Sequence, residues 1–289
     1  MKSKCSRRQI TRRGLLIFTL VVLLSGWIGE GLNVLTGSPS EESPGMLIWL
    51  MAPLAAVICL RTFGDGWGDA GLKPLFKRNV RWYITAIILF PVLTLTVIFV
   101  GAGLGWISFT NFDTALFLKA FVFSLLPNFV KNIPEEFVWR GYLTPKLASL
   151  KIKDFVLYLI VGFIWGIWHV PYYLFFLSGE TLQSFTSTSM ELFIPLSILT
   201  MIAWSIVFVE LWFLTGSVWP AVILHTVEDS FINPLVLNAS FSIAEGKDML
   251  IHPVSGIFSI LLFILVGLKL RQVRHSNTTL VTDKCDNVL

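Results

Sequence analysis

The stretch Ile133-Pro-Glu-Glu-Phe-Val-Trp-Arg-Gly-Tyr-Leu-Thr-Pro-Lys-Leu147 sets two adjacent carboxylates and a guanidinium inside a strongly apolar sequence. Charges in such surroundings are costly, and a chain that keeps them usually uses them. Pro134 suits the first turn of a helix, where its missing N–H would be unpaired anyway. That reading puts Glu135 and Glu136 in a helical first turn, where the helix dipole favours negative charge; the alternative is a helix that continues from the fourth apolar run through Pro134. Glu136 and Arg140 are four apart and share a helix face. Glu135 is turned away from Arg140 by the helical pitch. The spacing thus predicts one glutamate neutralised by Arg140 and one, Glu135, free to act as a base.

Outward from this stretch the whole chain is apolar. Of 289 residues, 55% are hydrophobic and 14% charged, against about 25% charged in an average soluble domain; the mean hydropathy is +0.75. The expected fold is all-α, a polytopic bundle of about eight transmembrane helices. The expected spans are 14–34, 46–60, 82–104, 115–130, 155–177, 191–214, 218–237 and 254–270. Residues 1–13 form a basic N-terminal segment, 14–270 the membrane domain, and 271–289 a C-terminal tail. The first span has a basic start like a signal peptide but no clean cleavage site, so it is read as a retained helix.

The net charge of +4 does not indicate nucleic acid, because the basic residues follow topology. Lys2, Lys4, Arg7, Arg8, Arg12 and Arg13 precede the first span, and Arg271, Arg274 and Lys284 follow the last. Both termini are therefore expected in the cytoplasm of a cell-membrane protein. The three cysteines, Cys5, Cys59 and Cys285, are scattered and form no disulfide framework.

Two further sites carry ionisable groups within apolar runs. Trp165-Gly-Ile-Trp-His169-Val-Pro171 lies in the fifth span, and His225-Thr-Val-Glu-Asp229 in the seventh. His225 and Asp229 share a helix face. Taken singly, each group has a plain structural reading: Glu136–Arg140 an ion pair, Glu135 a solvated surface residue, and His169 a core imidazole bonded to a carbonyl that Pro171 leaves free. Glu228 faces another helix or water, Glu210 snorkels from a helix end, and His252 and His275 have no role. Together the three sites supply a carboxylate base, two imidazoles and a further polar group, enough to activate water and stabilise an oxyanion. Glu135, His169 and His225 could also hold zinc, but no His-Glu-x-x-His pair fixes two ligands on one helix; zinc ranks second to a metal-free site.

These motifs, Glu135-Glu136-x-x-x-Arg140, Trp165-x-x-x-His169 and His225-x-x-x-Asp229, resemble those of the CPBP (Abi, CAAX protease-like) family over about residues 115–235. The resemblance implies an intramembrane glutamic endopeptidase without cofactor. It implies that Glu135 and His169 activate water, that His225 and Asp229 stabilise the oxyanion, and that Glu136 and Arg140 orient the site. Asp229 stands where the family commonly has Asn. An ionised Asp cannot donate to an oxyanion, so Asp229 either carries a proton or orients His225. The implied substrate is a peptide or lipidated, CAAX-type protein, expected to enter from the cytoplasmic side and to be held beside membrane lipid. Two other readings stand: a non-catalytic scaffold or bacteriocin-immunity factor of the same fold, and a transporter relaying protons through Glu135, His169 and His225.

Overall fold

The computed structural model describes residues 4–39, 43–109, 112–237 and 240–286. Glu41 and Glu42, the tip of the 110–113 loop and the side chains of Lys2, Lys4, Cys5, Arg7, Arg8, Lys284 and Cys285 lie outside the described residues.

Helices follow one another as α1 (Lys4–Thr36), α2 (Pro44–Leu60), α3 (Phe76–Gly103), α4 (Thr114–Val138), α5 (Thr144–Ser149), α6 (Asp154–Pro171), α7 (Gly179–Phe185), α8 (Met190–Thr215), α9 (Trp219–Leu237), α10 (Asp248–Ile251) and α11 (Ile257–Asp286). The pair β1 (Ile107–Ser108) and β2 (Ser242–Ile243) is a single antiparallel bridge between loops. The fold is an all-α polytopic bundle. Six of its helices are long and apolar enough to cross a membrane among the described residues. The other two expected spans correspond to α9, which carries His225, Glu228 and Asp229, and to α11; α9 packs on α3 and α4, and α11 on α8.

Pro134 does not start a helix. Asp113 caps α4 by accepting from the Ala115 and Leu116 N–H groups, and Pro127 and Pro134 both lie inside the helix. In water an interior proline costs about 3 kcal/mol. In a membrane the alternative, an unpaired backbone in lipid, is worse, so the helix continues through it. Glu135 and Glu136 therefore sit near the end of α4, and no N-terminal dipole acts on them. A π-helical turn, Trp139–Leu143, then links α4 to α5, so that 114–149 forms one helical rod. This corrects the depth of the site. Glu135 and His169 each lie roughly 20 Å along the helix from the short 150–153 turn, at 1.5 Å per residue, so His169 is not too deep to meet Glu135.

The basic end of the bundle is tied by ion pairs. Arg61 is buried in a π-helical turn after α2; it donates to the Gly141 carbonyl and pairs with Asp69 at 2.7 Å. Lys146 also pairs with Asp69, at 2.9 Å. Burial opposes ionisation of Asp69, but the hydrogen bonds from Arg61 and Lys146 outweigh it and hold the carboxyl below its usual range. A lowered folded-state pKa means a stabilisation fully present above the unfolded value, about 3.9, and lost only as pH falls through the lowered one. Asp69→Asn is accordingly expected to lower the melting temperature at pH 7, with a deficit that narrows below about pH 4; thermal unfolding in detergent against pH checks this. Glu210 does not snorkel: it is fully buried, accepts from Tyr158 Oη and pairs with Arg274 at 2.7 Å. Lys77, Arg78 and Arg81 fall in the first turns of α3.

Close approach of α6 to α8 rests on two glycines. A Cβ on Gly162 would stand 2.4 Å from Ile202 Cα, and one on Gly166 2.9 Å from Ile198 Cα. Small residues four apart let membrane helices pack by their backbones. Gly162→Val is expected to force the helices apart and cost about 1–3 kcal/mol, read as a lower melting temperature in detergent. Gly216, at φ +64°, closes the turn between α8 and α9 in a conformation that side chains disfavour.

Candidate active site

Three helices bring the polar groups together. On α4 and the π-helical turn that follows it, Asn128, Asn132, Glu136 and Arg140 recur every four residues and form one polar stripe. It faces α9: Asn128 Nδ2 donates to Ser230 Oγ at 2.9 Å, Asn132 Nδ2 to Asp229 Oδ2 at 2.7 Å, and Glu136 Oε1 lies 2.9 Å from His225 Nδ1. Helix α6 contributes His169.

Glu136 is fully buried, and its Oε1 also accepts from Arg140 Nη1 at 2.9 Å. The Arg140 guanidinium is fully buried as well. It lies 4.3 Å from the Trp165 ring and 4.2 Å from that of Phe208. Ring faces attract the cation where water cannot reach it. With Trp139 and Tyr142, both without exposure, these groups close the site toward the basic end.

Glu135 differs from its neighbour. It is buried, its Oε2 has no hydrogen-bond partner in the protein, and it lines a cavity of about 260 Å³ with Lys131, His169, His225, Glu228 and Asp229. His169 Nδ1 is 2.9 Å from the Trp165 carbonyl. A carbonyl only accepts, so Nδ1 carries the hydrogen and Nε2 keeps its lone pair. The carbonyl involved is that of the preceding helical turn, not the one freed by Pro171. On the outer side of this ring, Trp49 stacks on Trp168 at 4.2 Å and on Tyr172 at 5.0 Å, fixing α2 against α6.

Asp229 lies 4.0 Å from His225 Nε2, beyond hydrogen-bond range, and pairs with Lys131 at 3.0 Å. The hydrogen bond that orients His225 therefore comes from Glu136, and the charge of Asp229 is met by Lys131 and Asn132. Lys131, Asn132 and Asn128 are not among the sequence candidates; Asn128 and Asn132 lie on the four-residue repeat of Glu136, which carried the signal, and Lys131 does not. Glu228 faces the cavity. His225, Glu228 and Asp229 offer ligand atoms within 4.8 Å of one another, a different trio from Glu135, His169 and His225. The Lys131 ammonium already stands beside Asp229, so a dication there would meet a like charge.

Carboxylates and imidazoles gathered around one cavity inside a membrane bundle are groups able to activate water. Residues 117–231, which hold every one of these groups, match the Rce1-like family, type II CAAX prenyl endopeptidases. The chain carries a domain of the CPBP/CAAX protease family and is a multi-pass membrane peptidase. Comparison with curated proteins returns no match.

Proposed function

We propose that the protein hydrolyses peptide bonds of membrane-associated or lipidated polypeptides with a water activated by Glu135 and His169. The observation that carries this reading is the asymmetry of the two glutamates. Glu136 Oε1 is engaged by Arg140 and His225 and Glu136 does not line the cavity, whereas Glu135 does; each glutamate keeps its Oε2 without a hydrogen-bond partner. Glu135 takes a proton from the water as the oxygen attacks the carbonyl carbon. His169, accepting at Nε2, holds the same water in line. The C=O pair becomes an oxyanion that His225 Nε2–H stabilises. Glu135 then gives its proton to the departing amine nitrogen, the C–N bond breaks, and acid and amine products leave. This role requires His225 as the imidazolium, since Nδ1–H is directed at Glu136. Asp229, held by Lys131, bounds the oxyanion side without donating to it. Few bulk waters compete in this cavity.

No step needs a metal, so hydrolysis is expected to survive chelators. The test is cleavage of a library of prenylated and unprenylated peptides by the purified protein in detergent, with and without chelator. Resistant cleavage supports the reading, and loss restored by zinc returns the metal alternative. A proton-coupled transporter would instead respond to a pH gradient in sealed vesicles and leave the peptides intact.

A further inference from the structure

One carboxylate of the cavity takes no part in the reaction described above. Glu228 is only 6% exposed and lines the cavity, and it has neither a hydrogen bond nor an ion pair among the described residues. The carboxylates near it are engaged. Asp229 accepts from Asn132 at 2.7 Å and pairs with Lys131 at 3.0 Å, and Glu136 meets Arg140 and the His225 ring at 2.9 Å each. Glu135 faces the water it activates. Counted together, the four carboxylates Glu135, Glu136, Glu228 and Asp229 stand against three cations, Lys131, Arg140 and the His225 imidazolium that the proposed mechanism requires. One carboxylate is in excess, and the geometry singles out Glu228. A charge inside a membrane protein is kept where something pairs with it.

Glu228 stands beside the reacting bond. A carboxylate oxygen of it lies within 4.8 Å of ligand atoms of both His225 and Asp229, on the side where the mechanism places the oxyanion. Much of the remaining wall is aromatic, with Tyr172, Tyr173, Phe193 and Trp204. Rings and a free carboxylate together suit a long basic side chain, whose apolar stem packs on the rings while its charged head meets the carboxylate. A second cavity, of about 630 Å³, meets this one at Leu50 and Lys131. Its wall includes Trp67, Ala70, Leu72 and Phe137, and it holds Arg61 but no carboxylate. Of the two cavities, only the first offers a basic side chain an unpaired acid.

We infer that Glu228 is a specificity-determining residue, which takes the ammonium or guanidinium of a lysine or arginine flanking the scissile bond. The inference rests on the proposed hydrolysis, and the test separates the two. Purified protein in detergent is given library peptides that differ only at a residue flanking the cleaved bond, with lysine, arginine, Nε-acetyl-lysine, norleucine or glutamate there. The parent is expected to cleave the lysine and arginine peptides with a kcat/KM about 10²-fold above that of the norleucine peptide, as pairing of a desolvated charge allows. Acetyl-lysine keeps the stem but loses the charge, so its peptide should fall to the norleucine level. In Glu228→Gln the lysine-to-norleucine ratio is expected to drop to about 1. The ratio is read within each preparation, so it does not depend on the amount of folded protein or on any change in the chemical step. Cleavage by the parent without preference for the basic peptides overturns the inference and leaves the hydrolysis standing. So does a Glu228→Gln that keeps the preference, or an acetyl-lysine peptide cleaved as well as the lysine one. No cleavage of any peptide overturns the hydrolysis and the inference with it. If Glu228→Gln shows no thermal unfolding transition, the acetyl-lysine comparison in the parent decides.

Discussion

Replacing Glu135 by Gln is expected to cut kcat by about 10³-fold, within the range a general base contributes, while the protein folds and binds peptide as before. Glutamine has the same shape but cannot take a proton from water. The folded state should tolerate it, because Glu135 Oε2 makes no hydrogen bond to the protein that the change would break. A shift in KM alone would point to substrate contact and not to chemistry. Glu135→Asp keeps the base but draws it back by a methylene, and an intermediate rate is expected. Peptide turnover in detergent, with the melting temperature measured on the same samples, checks both variants.

Arg140→Ala is expected to remove about 3–5 kcal/mol of stability, the usual cost of breaking a buried ion pair from one side. The loss has three parts. Glu136 is left as a buried carboxylate without its cation, two aromatic faces lose the guanidinium stacked between them, and a cavity opens where a large side chain had no exposure. Arg140→Lys should rescue little, because an ammonium is a point charge that cannot lie flat between Trp165 and Phe208. The double variant Glu136→Gln, Arg140→Met is expected to be more stable than Arg140→Ala alone, since no charge is then left unpaired. Denaturant unfolding in detergent measures the cycle. Its kcat should remain low, because His225 loses the carboxylate that orients it.

Much of this was legible in the chain. Hydropathy and basic flanks gave the bundle and its helices, since lipid admits little else. The Glu136–Arg140 pairing followed from a spacing of four. What escaped depended on how helices turn toward one another. Lys131 reads as a flanking cation, and its pairing with Asp229 follows from the rotation of α4 against α9, which no local pattern records. Asn128 and Asn132 lie on the same four-residue repeat as Glu136, and a search for polar stripes in apolar spans would have found them. Pro134 left two courses for the helix open, because the rule learned in water, that proline begins or breaks helices, weakens in a membrane. Glu210 escaped for a similar reason: its partner Arg274 lies 64 residues away on α11.

The most direct test compares Glu135→Gln with Glu136→Gln, each assayed for turnover and thermal unfolding in the same detergent. The predicted result is an inactive Glu135→Gln with the melting temperature of the parent, and a Glu136→Gln whose melting temperature falls because Arg140 loses its counter-charge. An active Glu135→Gln, or an inactive Glu136→Gln with unchanged melting temperature beside it, would contradict the division of labour between the two glutamates.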